Sequence, residues 1–283
     1  MRALIIGAGV CGPATAMALQ RAGIEAVVYE AHRPAAGDVG SYLTVATNGL
    51  DALRAIDASG PVLQAGFPTN RTVLLSGTGK RLGVVPLGSS DRQRHPSHTI
   101  KRAHLHRALH DEATQRGVRI EFGKRLSGAA VTHSGVRAEF EDGSDAVGDL
   151  LVGCDGVHSR TRTTIDRGAP APRYVGLLNF GGYTSGASVG EPGAWHMIFG
   201  HKAFFGYVAD GAGGTVWFAN VPRHHRPHPN GNRRRLNNGS SRSSTSSPMI
   251  AEPRLSSSRR VLYNSPLTTP MICPPSQSGT RGR

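Results

Sequence analysis

Three glycines near the start of the chain, at the spacing G-x-G-x-x-G, could bind the phosphates of a dinucleotide. They lie in the segment Ile6-Gly7-Ala8-Gly9-Val10-Cys11-Gly12. Gly7 would allow a tight turn, Gly9 would let the backbone approach phosphate oxygens, and Gly12 would let a helix pack closely. The start of that helix, at Val10 and Cys11, would direct free N–H groups and a partial positive charge at the anion. The predicted chemistry is therefore non-covalent binding of a pyrophosphate.

The elements around this motif are those that a dinucleotide site requires. An apolar run over residues 1–6 predicts a buried parallel strand, residues 13–22 predict a helix, and residues 26–29 predict the next strand. Glu30 follows that strand, where its carboxylate would accept hydrogen bonds from ribose hydroxyls. Because a carboxylate repels a 2′-phosphate, the site is predicted to hold an unphosphorylated adenosine, such as that of FAD or NAD. A glycine-rich turn without a ligand is the alternative.

Two later segments add charged side chains to this prediction. Arg102 lies just before a predicted helix over residues 104–116, whose apolar positions recur every three or four residues. Asp155 and Gly156 form a predicted turn after a buried strand over residues 150–153, at the strand end where open α/β sheets bind ligands. From the residues alone, Arg102 is more commonly a solvated side chain, and Asp155 could simply cap the next helix.

Together these segments resemble the FAD-dependent monooxygenases of the aromatic hydroxylase type, the class of salicylate and para-hydroxybenzoate hydroxylases. The matching segments are the glycine motif with Glu30, residues 102–109 as R-x-x-L-x-x-x-L, and residues 155–162 as D-G-x-x-S-x-x-R. The resemblance implies that Arg102 reaches the flavin and that Asp155 and Gly156 contact FAD and the nicotinamide cofactor. It also implies FAD as cofactor and NAD(P)H as electron donor. No catalytic acid or base is assigned.

The reaction that the resemblance implies is hydroxylation or epoxidation of a small organic, often aromatic, substrate by molecular oxygen. The cofactor performs this chemistry, while the protein orients it and excludes water. Two alternatives stay open: an FAD-dependent reductase that does not activate oxygen, and an inactive FAD-binding remnant.

The predicted fold class is α/β. A Rossmann-like, doubly wound FAD-binding domain is predicted over residues 1–172, a smaller β-rich substrate domain over 173–222, and a disordered basic tail over 223–283. The first domain is predicted to contain a helix capped by Asn48 and ended by Gly60-Pro61. It is also predicted to contain strands over residues 71–87 around a turn at 77–79, and over residues 118–122, 128–132, 136–140 and 146–152, with a turn at Asp142-Gly143.

The predicted substrate domain contains three aromatic segments. Residues 195–200, 203–208 and 215–220 predict strands of an antiparallel sheet. In the resembling family such a sheet covers the flavin ring and frames the substrate. Large aromatic side chains are more often core than binding surface, which is the interpretation we prefer.

Residues 223–283 differ in composition from the rest of the chain. They hold eleven arginines against a single acid, Glu252, a net +10 of the chain's formal +14. With little apolar periodicity this segment is predicted to be disordered. A basic arm for nucleic acid or anionic membrane is one interpretation, but a frameshift near codon 222 is favoured. The second flavin motif of the family, of the type Gly-Asp-Ala-Ala-His, is not in the sequence, which predicts weak flavin retention and little turnover.

The remaining composition narrows the class of protein. Cys11, Cys154 and Cys273 show no paired pattern, which predicts a reducing, cytoplasmic setting without disulfides. The chain enters its first strand without a signal-like apolar segment, and no apolar run approaches ~18 residues, so neither secretion nor a membrane span is predicted. The thirteen histidines are predicted to be solvated, with no metal site. A specific nucleic-acid partner is not predicted.

Overall fold

The chain folds into two compact units. A computed structural model describes residues 1–33, 40–88 and 95–223, together with the strands Arg260–Tyr263 and Met271–Ile272. The first unit comprises residues 1–69, 87–173 and 271–283, and the second comprises residues 70–86 and 174–270. Residues 70–86, which lie within the predicted first domain, join the second unit because their strands pair with the aromatic ones.

The helices and strands are numbered along the whole chain. The helices are α1 (Cys11–Arg21), α2 (Thr47–Ala55), α3 (Ser59–Ala65), α4 (Arg102–Gln115) and α5 (Arg160–Ile165). The first strands are β1 (Arg2–Ile6), β2 (Glu25–Glu30), β3 (Tyr42–Val45), β4 (Phe67–Pro68), β5 (Arg71–Ser76), β6 (Arg81–Pro86), β7 (His98–Lys101), β8 (Arg119–Phe122), β9 (Leu126–Thr132) and β10 (Gly135–Phe140). The others are β11 (Asp145–Gly148), β12 (Leu150–Gly153), β13 (Arg173–Tyr174), β14 (Leu177–Ser185), β15 (Ala194–Phe199), β16 (Phe204–Ala209), β17 (Gly214–Pro222), β18 (Arg260–Tyr263) and β19 (Met271–Ile272).

A four-stranded parallel sheet, in the order β12-β1-β2-β8, forms the centre of the first unit. Ile6 at the end of β1 pairs with Tyr29 on one side and with Gly153 on the other, so these three strands end at the same edge of the sheet. The predicted strand–helix–strand arrangement at the start of the chain is confirmed. The prediction that residues 150–153 are buried is wrong: β12 is an edge strand, and Leu150 is 41% exposed.

Two different layers cover the faces of this sheet. On one face, Ile5 and Val28 pack against Met17 of α1 and Leu109 of α4. On the other face, Leu4 and its neighbours pack against the antiparallel sheet β11-β10-β9. A doubly wound fold would place helices on both faces. The segment over residues 126–148 forms three strands instead, and β10 within it alternates in burial with a period of two.

The connection between α2 and α3 differs from the prediction. Asn48, the predicted N-cap of the first of these helices, lies in the first turn of α2, after Ala46 at the N-cap. Gly60 and Pro61 do not end a helix but lie in the first turn of α3, where the missing N–H of proline removes no intrahelical bond. The break occurs earlier, at Asp57, whose φ of 57° is left-handed. A polar side chain of this kind tolerates that conformation better than most.

The second unit contains a seven-stranded sheet in the order β18-β14-β17-β16-β15-β5-β6. The three predicted aromatic strands are confirmed as β15, β16 and β17, which pair antiparallel, while β15 and β5 pair in parallel. Trp195 is 4% exposed and contacts the ring of Phe218 edge to face, with centroids 5.5 Å apart. Trp195 therefore packs as a core residue, in line with the preferred interpretation, whereas Phe199 on the same strand is 52% exposed.

Most of the tail that was predicted to be disordered, residues 223–283, lies outside the described residues. Two short strands in it are described: β18 pairs antiparallel with β14, and β19 forms a two-stranded sheet with β13. Each is a short run that contains apolar and β-branched residues, and such runs can extend an open sheet edge.

The predicted turn at Asp142-Gly143 is confirmed, and it contains an ion pair that predicts acid sensitivity. Lys124 Nζ donates to the Asp142 carboxylate at 2.7 Å. The pKa of Asp142 is lowered from 3.8 to about 2, chiefly by this hydrogen bond and next by those from Ser144. The pKa of Asp142 is lower in the folded chain than in the unfolded chain. The ionised carboxylate therefore stabilises the fold above about pH 4, and this stabilisation is lost as the pH falls through about 2. Asp142→Asn is expected to remove this part of the pH dependence of the urea midpoint. If the urea midpoint of the variant changed with pH as steeply as that of the parent chain, the prediction would be contradicted.

Candidate dinucleotide site

The turn after β1 packs closely against Tyr29 on one side and Cys154 on the other. Gly7 has a φ of +101°, and its N–H donates to the Tyr29 carbonyl at 2.8 Å. A Cβ on Gly7 would lie 2.6 Å from the Cys154 carbonyl oxygen, and a Cβ on Gly12 would lie 1.9 Å from the Gly7 carbonyl oxygen. Both positions therefore exclude a side chain, Gly7 for its backbone conformation and packing and Gly12 for its packing. These contacts give the tight turn and the close packing that the glycine spacing predicts.

The start of α1, in contrast, is open. A Cβ on Gly9 would meet no atom within 4 Å, and both Gly9 and Cys11 are exposed. Val10 at the N-cap supplies no side-chain hydrogen bond, and the first turn holds no acidic residue. The first N–H groups of a helix have no intrahelical partner, and together with the helix dipole they favour an anion. The residues present here therefore fit the pyrophosphate of a dinucleotide.

Glu30 lies at the end of β2, beside this loop. Its Oε2 accepts a hydrogen bond from the Ala8 N–H at 2.7 Å, and its Oε1 accepts one from the His32 N–H at 2.9 Å. Each carboxylate oxygen has a second lone pair, so the side chain can still accept hydrogen bonds from a ligand. The structure thus brings Glu30 to the loop and gives it a second function, since it fixes the backbone of Ala8. Contact with a ribose stays a prediction.

Helix α4 reaches the same loop from another part of the chain. The ring of His106 bonds through Nε2 to the Ala8 carbonyl oxygen at 2.8 Å. Arg102 lies four residues earlier, on the same face of α4, because residues four apart are neighbours on a helix. Its side chain is exposed, and its backbone N–H donates to the Ser41 carbonyl at 3.0 Å. The structure therefore turns the helix face that carries Arg102 toward the phosphate loop.

Asp155 caps helix α5. Its Oδ1 accepts from the Ser159 hydroxyl at 2.6 Å, and its Oδ2 accepts from the N–H groups of Arg160 at 2.8 Å and Thr161 at 3.0 Å and from the Thr161 hydroxyl at 3.1 Å. This is the capping alternative that the sequence left open. Gly156, with a φ of +78°, is exposed beside it. Contact of Asp155 and Gly156 with a cofactor stays a prediction.

The Asp155-Gly156 turn and the phosphate loop adjoin each other. The Cys154 N–H donates to the Ile6 carbonyl at 2.7 Å, and Gly7 packs against the Cys154 carbonyl. Thr15 of α1 also approaches, with its hydroxyl oxygen 3.7 Å from the Cys154 sulfur. Burial raises the pKa of this half-buried thiol. The two segments that the sequence analysis singled out therefore meet at one edge of the parallel sheet.

One residue of this arrangement, His106, was missed by the sequence analysis. The only signal for it was its spacing of four from Arg102, because a histidine on an amphipathic helix is otherwise typical of a solvated face. Within the described residues, no three histidine, cysteine, aspartate or glutamate side chains are grouped so that they could hold a metal ion. In the same part of the chain, no helix is long and apolar enough to span a membrane.

The parallel sheet, the glycine turn and the acid after β2 define a dinucleotide-binding α/β protein. A family model described as an FAD binding domain matches residues 1–206. The chain therefore belongs to the FAD binding domain family, and FAD is the dinucleotide for which the loop is suited.

Two similar proteins are named as hydroxylases. The chain is 31% identical over 227 residues to the FAD-dependent urate hydroxylase of Klebsiella pneumoniae, a match that covers 78% of this chain and 58% of the relative. It is 29% identical over 201 residues to the 3-hydroxybenzoate 6-hydroxylase 1 of Aquipseudomonas alcaligenes, which covers 69% of this chain and 50% of the relative. The chain thus spans between half and three fifths of the length of these two relatives.

A solved structure confirms the fold. The crystal structure of a Klebsiella pneumoniae HpxO variant complexed with FAD superposes with a TM-score of 0.70 at 27% identity, over 80% of this chain and 58% of that chain. The structure of HpxO complexed with FAD and uric acid gives a TM-score of 0.67 at the same identity and coverage. The predicted Rossmann-like FAD-binding fold is therefore confirmed.

Proposed function

We propose that this chain functions as an FAD-dependent monooxygenase that hydroxylates or epoxidises a small organic, often aromatic, substrate. NAD(P)H is the electron donor and molecular oxygen the second substrate. The observation that carries the proposal is the phosphate loop with its open helix N-terminus and adjacent Glu30, in a chain that belongs to the FAD binding domain family. FAD, when bound, accepts electrons from NAD(P)H and makes oxygen reactive toward the substrate.

The residues of the chain bind and orient the cofactor. The backbone N–H groups of Val10 and Cys11 bind the pyrophosphate, and the missing side chain of Gly9 lets it approach. Glu30 accepts hydrogen bonds from the adenosine ribose, and its charge disfavours a 2′-phosphate at this position. Arg102 extends from the exposed face of α4 toward the flavin.

The substrate class is supported by the names of the relatives. Urate and hydroxybenzoate, which stand in the names of the relatives, are planar aromatic compounds. We assign residues 173–222 to the substrate domain, and residues 174–222 of this range lie in the second unit. The free thiols of Cys11 and Cys154 support a cytoplasmic location.

Oxygen uptake by the purified chain tests this function. The chain is incubated with FAD, NADH or NADPH, and either urate or 3-hydroxybenzoate, and oxygen, peroxide and organic products are measured. We expect weak flavin retention and slow substrate-dependent NAD(P)H oxidation, with oxygen uptake and a hydroxylated product, in line with the impaired turnover predicted from the sequence. Reduction of FAD without oxygen uptake would instead support the reductase alternative. FAD binding without NAD(P)H oxidation would support an FAD-binding chain that does not turn over, and would contradict the monooxygenase.

A further inference from the structure

Ala8, the residue at the centre of the phosphate loop, has both backbone polar groups bound by side chains. Its N–H donates to Glu30 at 2.7 Å, and its carbonyl accepts from His106 at 2.8 Å. Ala8 itself is 1% exposed. Glu30 comes from β2 and His106 from α4, so two different elements hold one residue from opposite ends of its backbone.

The loop needs such support because of its own composition. Ala8 stands between Gly7 and Gly9, and glycine loses more conformational freedom on folding than any other residue. A carbonyl oxygen only accepts hydrogen bonds, so Nε2 of His106 carries the proton of this bond. Removal of the donor leaves the carbonyl of a buried residue without this partner, which is costly. The hydrogen bond from His106 therefore restricts a segment that would otherwise sample other conformations.

We propose that His106 is a positioning residue that, with Glu30, fixes the phosphate loop in the conformation that receives the FAD pyrophosphate. It acts through Ala8 and touches no reacting atom. A loop fixed before binding loses less conformational entropy when the ligand binds, which raises the affinity. This inference rests on the proposed FAD site, and it adds a determinant of cofactor affinity from α4, one turn after Arg102 on the same helix face.

FAD titration of three variants on the same helix tests the role. His106→Leu removes the donor, whereas His106→Gln retains an N–H donor of similar reach. His110→Leu is the matched control, because the ring of His110 contacts those of His106 and Phe122, with centroids 6.0 Å and 5.8 Å away. Flavin fluorescence measures the affinity, and thermal unfolding measures the stability.

We expect His106→Leu to weaken FAD binding about tenfold, the equivalent of one hydrogen bond. His106→Gln is expected to restore the affinity to within about threefold of the parent chain, and His110→Leu to leave it unchanged. Equal affinities of the parent and His106→Leu would overturn the proposal. So would a His106→Gln variant that binds FAD as weakly as His106→Leu, because this would show that ring packing and not the hydrogen bond matters.

Hydrogen exchange on the FAD-free chain separates this role from the proposed function. In His106→Leu, amides of residues 6–12 are expected to exchange about tenfold faster than in the parent chain, while those of β8 stay unchanged. Unchanged exchange in the loop would overturn the positioning role even if FAD binds. Conversely, a parent chain that fails to bind FAD contradicts the proposed function, while faster exchange in the variant still supports the role of His106.

Discussion

Alanine at Gly12 is expected to destabilise the first unit, while alanine at Gly9 is expected to leave the fold intact and weaken FAD binding. A Cβ on Gly12 would lie 1.9 Å from the Gly7 carbonyl oxygen, so the backbone of α1 or of the turn has to shift. Such overpacking against backbone costs on the order of 3 kcal/mol. A Cβ on Gly9 meets no atom within 4 Å, so the free chain accommodates it. The space that it fills is where we propose that the pyrophosphate approaches.

Thermal unfolding and FAD titration of the two variants separate these effects. Gly9→Ala is expected to unfold within about 2 °C of the parent chain and to bind FAD at least about tenfold more weakly. Gly12→Ala is expected to unfold several degrees lower, with FAD binding lost together with the fold. Gly60→Ala, in the first turn of α3, controls for the general effect of replacing glycine, because a Cβ there also meets no atom within 4 Å. A Gly9→Ala variant with parental FAD affinity would show that the phosphates do not approach at this glycine.

The start of the chain could be predicted from the sequence because its structure is determined locally. The strand, turn, helix and second strand lie within the first 30 residues. A Cβ on Gly12 would meet the nearby Gly7, and a Cβ on Gly9 would meet open space, whereas the packing of Gly7 against Cys154 is a long-range contact. The membership of residues 70–86 could not be predicted in this way. It depends on the parallel pairing of β5 with β15, in which Arg71 lies opposite Ala194. No local pattern specifies a partner so distant in the sequence.

The same distinction applies within the site. The partner of His106 is a backbone carbonyl 98 positions away, and a carbonyl leaves no trace in the sequence that a side-chain motif would reveal. The burial of β12 was predicted wrongly for a related reason, because an apolar run looks alike in a central and in an edge strand. Glu30 was assigned to the ligand alone, whereas it also fixes Ala8. When one side chain both stabilises the fold and binds a ligand, the sequence motif reveals only the ligand-binding role.

Alanine at Asp155 is expected to destabilise the first unit by on the order of 3 kcal/mol, because four donors lose their acceptor. Two of these donors belong to Thr161, which is 1% exposed, so its N–H and hydroxyl cannot turn to water. Ser159→Ala is the matched control on the same cap. It removes the hydroxyl that accepts from the Arg162 N–H at 2.9 Å, which is expected to cost only about 1 kcal/mol. Urea unfolding measures the free energy of unfolding of both variants. An equal loss of stability in the two variants would contradict the larger contribution that we assign to Asp155.

FAD affinity then distinguishes the two interpretations of this carboxylate. Asp155→Asn retains one acceptor oxygen, so part of the cap survives and the variant is expected to stay folded at 25 °C, where binding is measured. If Asp155 acts only through α5, FAD binds the folded variant with the affinity measured for Ser159→Ala. If the carboxylate also contacts the cofactor, Asp155→Asn binds FAD at least about tenfold more weakly than Ser159→Ala. Among the described residues, Oδ1 of Asp155 accepts only the hydrogen bond from the Ser159 hydroxyl and has a second lone pair for a ligand. We therefore expect the second result, with Asp155 and Gly156 both in contact with FAD.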